Sequence, residues 1–251
     1  MDLGLTDRVF VVTGGARGLG RATADVLVAE GARVVLSGRS AVSLDRAVAD
    51  LGPAAVAVVA DNADPATPDR LVAAAQGAWG RLDGALISVG GPPPGAVSEV
   101  TDEQWTTAFE SVFLGAVRLG RVLAAGLGES GSLAFVLSTS VRAPLADLAI
   151  SNGLRPGLAM VAKTLADEVG PRGVRVNGLL PGRVATERVA ELDAAADDPA
   201  AARESALARI PLRRQGEPEE FGRAAAFLLS PAASYVSGAM LPVDGGSLRG
   251  I

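Results

Sequence analysis

Four glycines, Gly14, Gly15, Gly18 and Gly20, fall within seven residues, directly after the apolar run Val9-Phe10-Val11-Val12 and directly before a stretch of helical period. A strand that ends in glycines and turns at once into a helix brings bare backbone and the helix's free N–H groups to one point. That is the arrangement that holds a pyrophosphate. Tight turns also use glycines, so the cluster gains its weight from its position at the first strand-to-helix crossing.

The rest of the chain repeats that alternation. Short β-branched runs at Arg33–Leu36, Val56–Val59, Leu82–Ser88, Leu133–Leu137, Val174–Asn177 and Met240–Val243 are separated by longer segments with apolar residues at helical spacing. The first such segment runs from Gly18 to Glu30 and stops at Gly31. Another opens on Ser40 as N-cap. Further helices are expected over Thr101–Leu127, over Ser151–Val169 before Gly170-Pro171, and after Pro218, with Ala185–Arg209 helical and mobile. Strands alternating with helices build parallel βαβ units. The expected fold is therefore α/β, a Rossmann-type doubly wound parallel seven-stranded sheet with helices on both faces. No linker, repeat or low-complexity block divides residues 1–251, which are expected to form one domain.

Composition removes several chemistries. There is no cysteine and no histidine, so disulfides, thiolate nucleophiles, imidazole bases and the usual zinc ligands are all missing, and no metal site is expected. A net charge of −5 without a basic tract argues against nucleic acid or an anionic membrane as a partner. The N-terminus lacks a basic flank followed by an apolar stretch, and no run of about 18 apolar residues occurs. A cytoplasmic protein is expected. Its Ala, Gly and Arg richness and single lysine suggest a GC-rich bacterial genome.

The spacing T-G-x-x-x-G-x-G from Thr13 to Gly20, the segment Asn177-Gly178-Leu179-Leu180-Pro181-Gly182 with Thr186 beyond it, and the C-terminal runs Gly216–Glu220, Ser234–Gly238 and Val243–Gly246 occur in a distinctive order. By these motifs the chain resembles the short-chain dehydrogenase/reductase family along essentially its whole length, with a likeness to its 3-oxoacyl-acyl-carrier-protein reductase-like members. The resemblance implies a nicotinamide dinucleotide held by Thr13, Gly14, Ala16, Arg17, Gly18, Leu19 and Gly20. It also implies adenine contacts at Asp61 and Asn62, and nicotinamide contacts at Pro181, Gly182 and Thr186. Ile87-Ser88-Val89-Gly90 stands where the family usually has N-N-A-G, so only Gly90 survives there and it serves through its backbone. Enzymes that use NAD place a carboxylate at the end of the second strand. Here that strand ends Leu36-Ser37-Gly38-Arg39-Ser40 with no acid, so Arg39 and Arg17, helped by Ser37 or Ser40, are expected to hold the 2′-phosphate of NADP(H).

The family reduces a carbonyl with a hydride from the nicotinamide and a proton from a tyrosine whose pKa a lysine lowers. Register through Val161–Glu168 puts Ser151 at the tyrosine position and Arg155 at the lysine position, and Val112 falls where an asparagine belongs. The serine position falls at Ser140, with Ser138 as the alternative. The only tyrosine, Tyr235, lies in a C-terminal structural match, and the only lysine, Lys163, is rotated away from Arg155 on its helix. Three readings follow. The first is an NADP(H)-dependent oxidoreductase on a small carbonyl or hydroxyl substrate, with Ser140, Ser151 and a water carrying the proton and Arg155 fixing the ribose. The second is a coenzyme-binding protein without catalysis, and the third is a non-redox enzyme on the same scaffold. Arg142, Arg155 and Arg183 bordering the mouth would suit an anionic or carboxylate-bearing substrate; the alternative is that Arg142 and Arg183 lie on the rim and do little. The resemblance also implies a homotetramer packed through the Thr101–Leu127 and Ser151–Val169 helices at one interface and the C-terminal strand at a second, with Gly115 and Ala159 expected at the close helix contact.

Overall fold

A computed structural model describes residues 2–194 and 198–250. Chain order is β1 (Val9–Thr13), α1 (Gly18–Ala29), β2 (Arg33–Gly38), α2 (Ala41–Leu51), β3 (Ala55–Val59), α3 (Thr67–Trp79) and β4 (Gly84–Ile87). It continues with α4 (Asp102–Ala108), α5 (Gly115–Gly126), β5 (Ser132–Val136), α6 (Ala149–Val169), β6 (Arg175–Pro181), α7 (Glu187–Ala194), α8 (Pro199–Ala208), α9 (Pro218–Leu229) and β7 (Met240–Val243). The seven strands form one sheet in the order β3-β2-β1-β4-β5-β6-β7, and every neighbouring pair is parallel.

Side chains of successive strand residues point to opposite faces, and β1 divides the core on that rule. Val9 and Val11 pack with Leu71 of α3, Leu119 of α5 and Leu158 of α6. Phe10 and Val12 pack with Leu27 of α1, Leu44 of α2 and Phe221 of α9. Both faces of the sheet are thus covered, which lets the strands read as near-continuous apolar runs. The chain leaves β1 toward β2 and β3 on one side and takes up β4 on the other. That reversal opens a crevice at the carboxyl ends of β1 and β4, where doubly wound sheets bind ligands.

Several expected boundaries shift. The sequence reading marks no helix between β3 and β4, yet α3 is there, with Pro68 in its first turn, Asp69 at its positive end and left-handed Gly80 closing it. β4 spans only Gly84–Ile87, because Ser88 turns aside to bond Thr13. The single helix expected over 101–127 is two α-helices joined by a π-helical turn at Phe109–Leu114. The helical reading of 185–209 resolves into α7 and α8, and residues 195–197 of that stretch lie outside the described residues. Gly115 and Ala159 require correction as surface contacts. A Cβ on Gly115 would lie 2.3 Å from the Asn62 carbonyl oxygen, and Ala159 is buried in the core. The outward apolar residues of these helices are Phe109, 43 % exposed and stacked on Phe113, and Met160, 66 % exposed. Among the described residues no helix is long and apolar enough to cross a membrane.

Candidate functional site

The glycine loop sits at the switch point and is shaped by what a Cβ would strike. Gly14 and Gly18 have φ of +61° and +57°, left-handed conformations that favour glycine. A Cβ on Gly20 would lie 2.4 Å from the Gly14 carbonyl oxygen, so any other residue would push α1 off the loop. The Gly15 amide donates to the Ser37 carbonyl at 3.0 Å, tying the loop to β2. Thr13 closes the gap to β4: its hydroxyl donates to the Ser88 carbonyl and accepts from the Ser88 amide, both at 2.8 Å. The helix α1 begins at Gly18 without a side-chain cap, leaving its first amides free for an anion. Ala16 and Leu19 pack against the core beneath the loop.

Beyond β2 the side chains divide. Ser37 is buried, whereas the Ser40 hydroxyl caps α2 by accepting from the Ser43 amide at 3.3 Å. Arg39 is exposed and makes no side-chain hydrogen bond or ion pair among the described residues. Arg17, also exposed, donates from Nη1 to Glu187 Oε2 at 3.1 Å. After β3, Asp61 shapes its own turn by accepting from the Ala63 amide at 2.9 Å, and its carbonyl accepts from Thr67 Oγ1 at 2.6 Å. Asn62 Nδ2 reaches the Ser88 carbonyl at 3.5 Å, so the β3 and β4 exits are joined. Gly182, after β6, donates to the Val243 carbonyl at 3.0 Å, which fixes the Pro181-Gly182 bend. Thr186 comes back over the glycine loop, its Cγ2 lying 3.9 Å from where a Gly18 Cβ would be.

The residues aligned to catalytic positions form a buried cluster. Ser140 and Ser151 are 4 % and 6 % exposed, and their hydroxyls are 3.2 Å apart. Ser138 instead accepts from the Ser140 amide at 3.1 Å, capping the short turn Thr139–Val141 that presents Ser140. One helical turn after Ser151, the Arg155 guanidinium crosses between the β4 and β5 exits. It donates to the Val136 carbonyl at 2.7 Å and to the Gly90 carbonyl at 3.5 Å, while its Nε has no partner. No carboxylate pairs with it among the described residues, and burial lowers its pKa from the ordinary 12.5 to about 10. Arg175 provides the contrast. Also buried, it donates to the Leu228, Ser230 and Val236 carbonyls at 2.7, 2.9 and 3.3 Å, two of them at the negative end of α9. Arg175 spends its donors on the fold; Arg155 keeps one in reserve.

The remaining candidates stay apart. Val112 is a core residue, Tyr235 is fully exposed, and Lys163 donates to the Gly238 carbonyl at 3.3 Å. Arg142 reaches the Met240 carbonyl and Arg183 is engaged by Asp193, so neither joins the buried cluster with Arg155. Sequence reasoning missed Arg118, whose Nη1 donates to the Ala63 carbonyl at 3.0 Å and braces the turn after β3. It also missed Glu187 and Arg188, the first residues of α7, the latter donating to the Pro92 carbonyl at 2.8 Å. An acid and a base directly after Thr186 were the available signal.

A cradle that side chains would fill, an uncapped helix start and a buried guanidinium with a spare donor fit a dinucleotide. Comparison with known proteins agrees. Residues 14–247 match the family model described as enoyl-(acyl carrier protein) reductase. An uncharacterized oxidoreductase of Mycobacterium tuberculosis is 38 % identical over 96 % of this chain and 91 % of its own. L-Rhamnose 1-dehydrogenase (NAD(P)(+)) of Azotobacter vinelandii is 34 % identical over 96 % of this chain and 97 % of its own. The crystal structure of L-sorbose reductase from Gluconobacter frateurii, complexed with NADPH and L-sorbose, superposes with a TM-score of 0.92 at 31 % identity and covers all of both chains.

Proposed function

The chain belongs to the short-chain dehydrogenase/reductase family of oxidoreductases, and from that premise we propose that it is an NADP(H)-dependent enzyme acting on a small carbonyl or hydroxyl compound through a proton path without tyrosine. The observation that carries the reading is the buried trio at the crevice floor: two hydroxyls 3.2 Å apart and, one turn on, a guanidinium with an unused Nε. Bound nicotinamide supplies or takes up the hydride. The backbone of Gly14, Gly18 and Gly20 and the start of α1 hold the pyrophosphate, Arg17 and Arg39 hold the 2′-phosphate, and Asp61 and Asn62 border the adenine. Pro181, Gly182 and Thr186 border the nicotinamide, with Gly90 on the opposite bank. Arg155 holds the ribose as a fixed cation, since at about 10 its pKa still leaves it charged near neutrality. Ser140 donates to the substrate oxygen and Ser151 passes a solvent proton to it. The whole of residues 1–251 acts as one such unit, in the cytoplasm, and assembles as a homotetramer through the face carrying Phe109 and Met160 and a second interface at the C-terminal strand.

Titration with NADPH and NADH, then a panel including L-sorbose and L-rhamnose, tests the reading. NADPH should bind at least about tenfold more tightly, the scale of one modest phosphate–arginine contact. Arg39→Asp should reverse that order, and equal binding of both coenzymes by the unaltered protein would refute the NADP(H) assignment.

A coenzyme-binding role without turnover is favoured by one observation, the near-complete burial of both hydroxyls. The double variant Ser151→Tyr, Arg155→Lys separates the two. It supplies a phenol whose pKa a neighbouring ammonium lowers, so it should gain activity on activated ketones if the proton is limiting. A folded, NADPH-binding and inert double variant would favour the non-catalytic role.

A further inference from the structure

The helix α7 starts directly after Thr186, and its first two residues bond opposite banks of the crevice. Arg188 donates to the Pro92 carbonyl on the β4 side, and Glu187 accepts from Arg17 on the β1 side. The two contacts differ in kind. Arg188 meets a neutral carbonyl, whereas Glu187 occupies a guanidinium aligned with 2′-phosphate binding. Of the two arginines at that end, Arg39 is unpaired among the described residues and Arg17 already has an acid.

We propose that Glu187 sets the preference between NADPH and NADH by competing with the coenzyme's 2′-phosphate for Arg17. The inference rests on the reading of Arg17 as a 2′-phosphate contact. A phosphomonoester of charge about −2 near neutrality must displace or share the carboxylate's place on Arg17. The carboxylate therefore opposes it twice, by occupying N–H donors and by repelling like charge. NADH has no such group and feels neither effect. The Arg17 and Glu187 side chains are 68 % and 66 % exposed, so the pair is weak and breaks readily, which makes it a graded competitor rather than a block.

Fluorescence titration with NADPH and NADH reads the effect in the wild type, Glu187→Gln, Arg17→Ala and the double variant, with thermal melting to confirm folding. Glu187→Gln should tighten NADPH about three- to tenfold and leave NADH within about twofold, and the gain should shrink at high salt. Arg17→Ala should weaken NADPH selectively, and adding Glu187→Gln to it should recover little. If Arg17→Ala leaves the NADPH-to-NADH ratio unchanged, the Arg17 assignment fails and the inference with it. If Arg17→Ala lowers that ratio while Glu187→Gln changes nothing, or tightens both coenzymes alike, the inference fails alone.

Discussion

Replacing Arg155 by Met removes a charge while keeping a long, flexible side chain in a site only 5 % exposed. Burial holds the guanidinium pKa at about 10 against an ordinary 12.5, which corresponds to about 3 kcal/mol spent on keeping the group charged inside the protein. Against this stands one good hydrogen bond, to the Val136 carbonyl at 2.7 Å, and a long one to Gly90 at 3.5 Å. Leaving the Val136 carbonyl short of a donor costs about 1–3 kcal/mol. The coenzyme-free protein should thus be unharmed or stabilised by up to about 2 kcal/mol, and a chain of this length gains about 2–4 °C in Tm per kcal/mol. NADPH affinity should fall, because the ribose loses its cation. Differential scanning fluorimetry with and without NADPH reads both quantities on one sample. A variant melting well below the wild type without coenzyme, yet keeping the full NADPH-induced rise in Tm, would show that Arg155 serves the fold as Arg175 does.

Ser140→Ala should lower kcat about 10²-fold, the scale for losing one donor to a developing oxyanion, whereas Ser151→Ala should cost less because water can occupy the vacated space. Steady-state rates at saturating NADPH check the order, which a larger loss at Ser151 would reverse. Phe109→Asp with Met160→Asp should break the tetramer into dimers by light scattering, because a charge is poorly tolerated in a close apolar contact; unchanged mass would refute that interface. The Arg214 guanidinium, with the Glu217 amide, pulls the Glu220 carboxyl from 4.5 to about 2. A lowered carboxylate pKa stabilises the fold fully above its unfolded value, and the contribution disappears as pH falls through the folded one. Glu220→Gln should therefore melt below the wild type above pH 4.5, with the gap closing toward pH 2; a gap independent of pH would contradict this assignment.

Legibility followed the physics of each element. β1 and the loop after it are readable because an apolar run and glycines in forced conformations leave few alternatives, and Gly14 and Gly18 do adopt positive φ. Ser140 and Ser151 are eleven residues apart in sequence, and their approach to 3.2 Å needs β5 and α6 side by side, an arrangement that came through the family register rather than local pattern. The helix α3 was hidden because alanines and Gly77 blur its apolar stripe. Gly115 looked like a surface contact because a small residue reads the same whether its neighbour is another chain or, as here, the Asn62 carbonyl. Glu187 escaped because its partner lies 170 residues away.

The two ends of the crevice answer differently to substitution. At the proposed coenzyme end most of the shape is set by backbone: glycines in left-handed conformations, uncapped amides at the start of α1, and the Gly90 and Val136 carbonyls that aim Arg155. Such a site tolerates changes in side chains because its geometry is written into strand ends and helix termini. On the proposed reading, proton delivery depends on one functional group at one place, and Ser151 standing at the family's tyrosine position withdraws that group outright. What remains at that place is a hydroxyl already bonded to Ser140 and a cation that holds its proton near neutrality. If that reading holds, substrate orientation and hydride approach persist while the proton comes from water, and water has to reach two serines only 4 % and 6 % exposed. The rate of such an enzyme would be set by how often water reaches them.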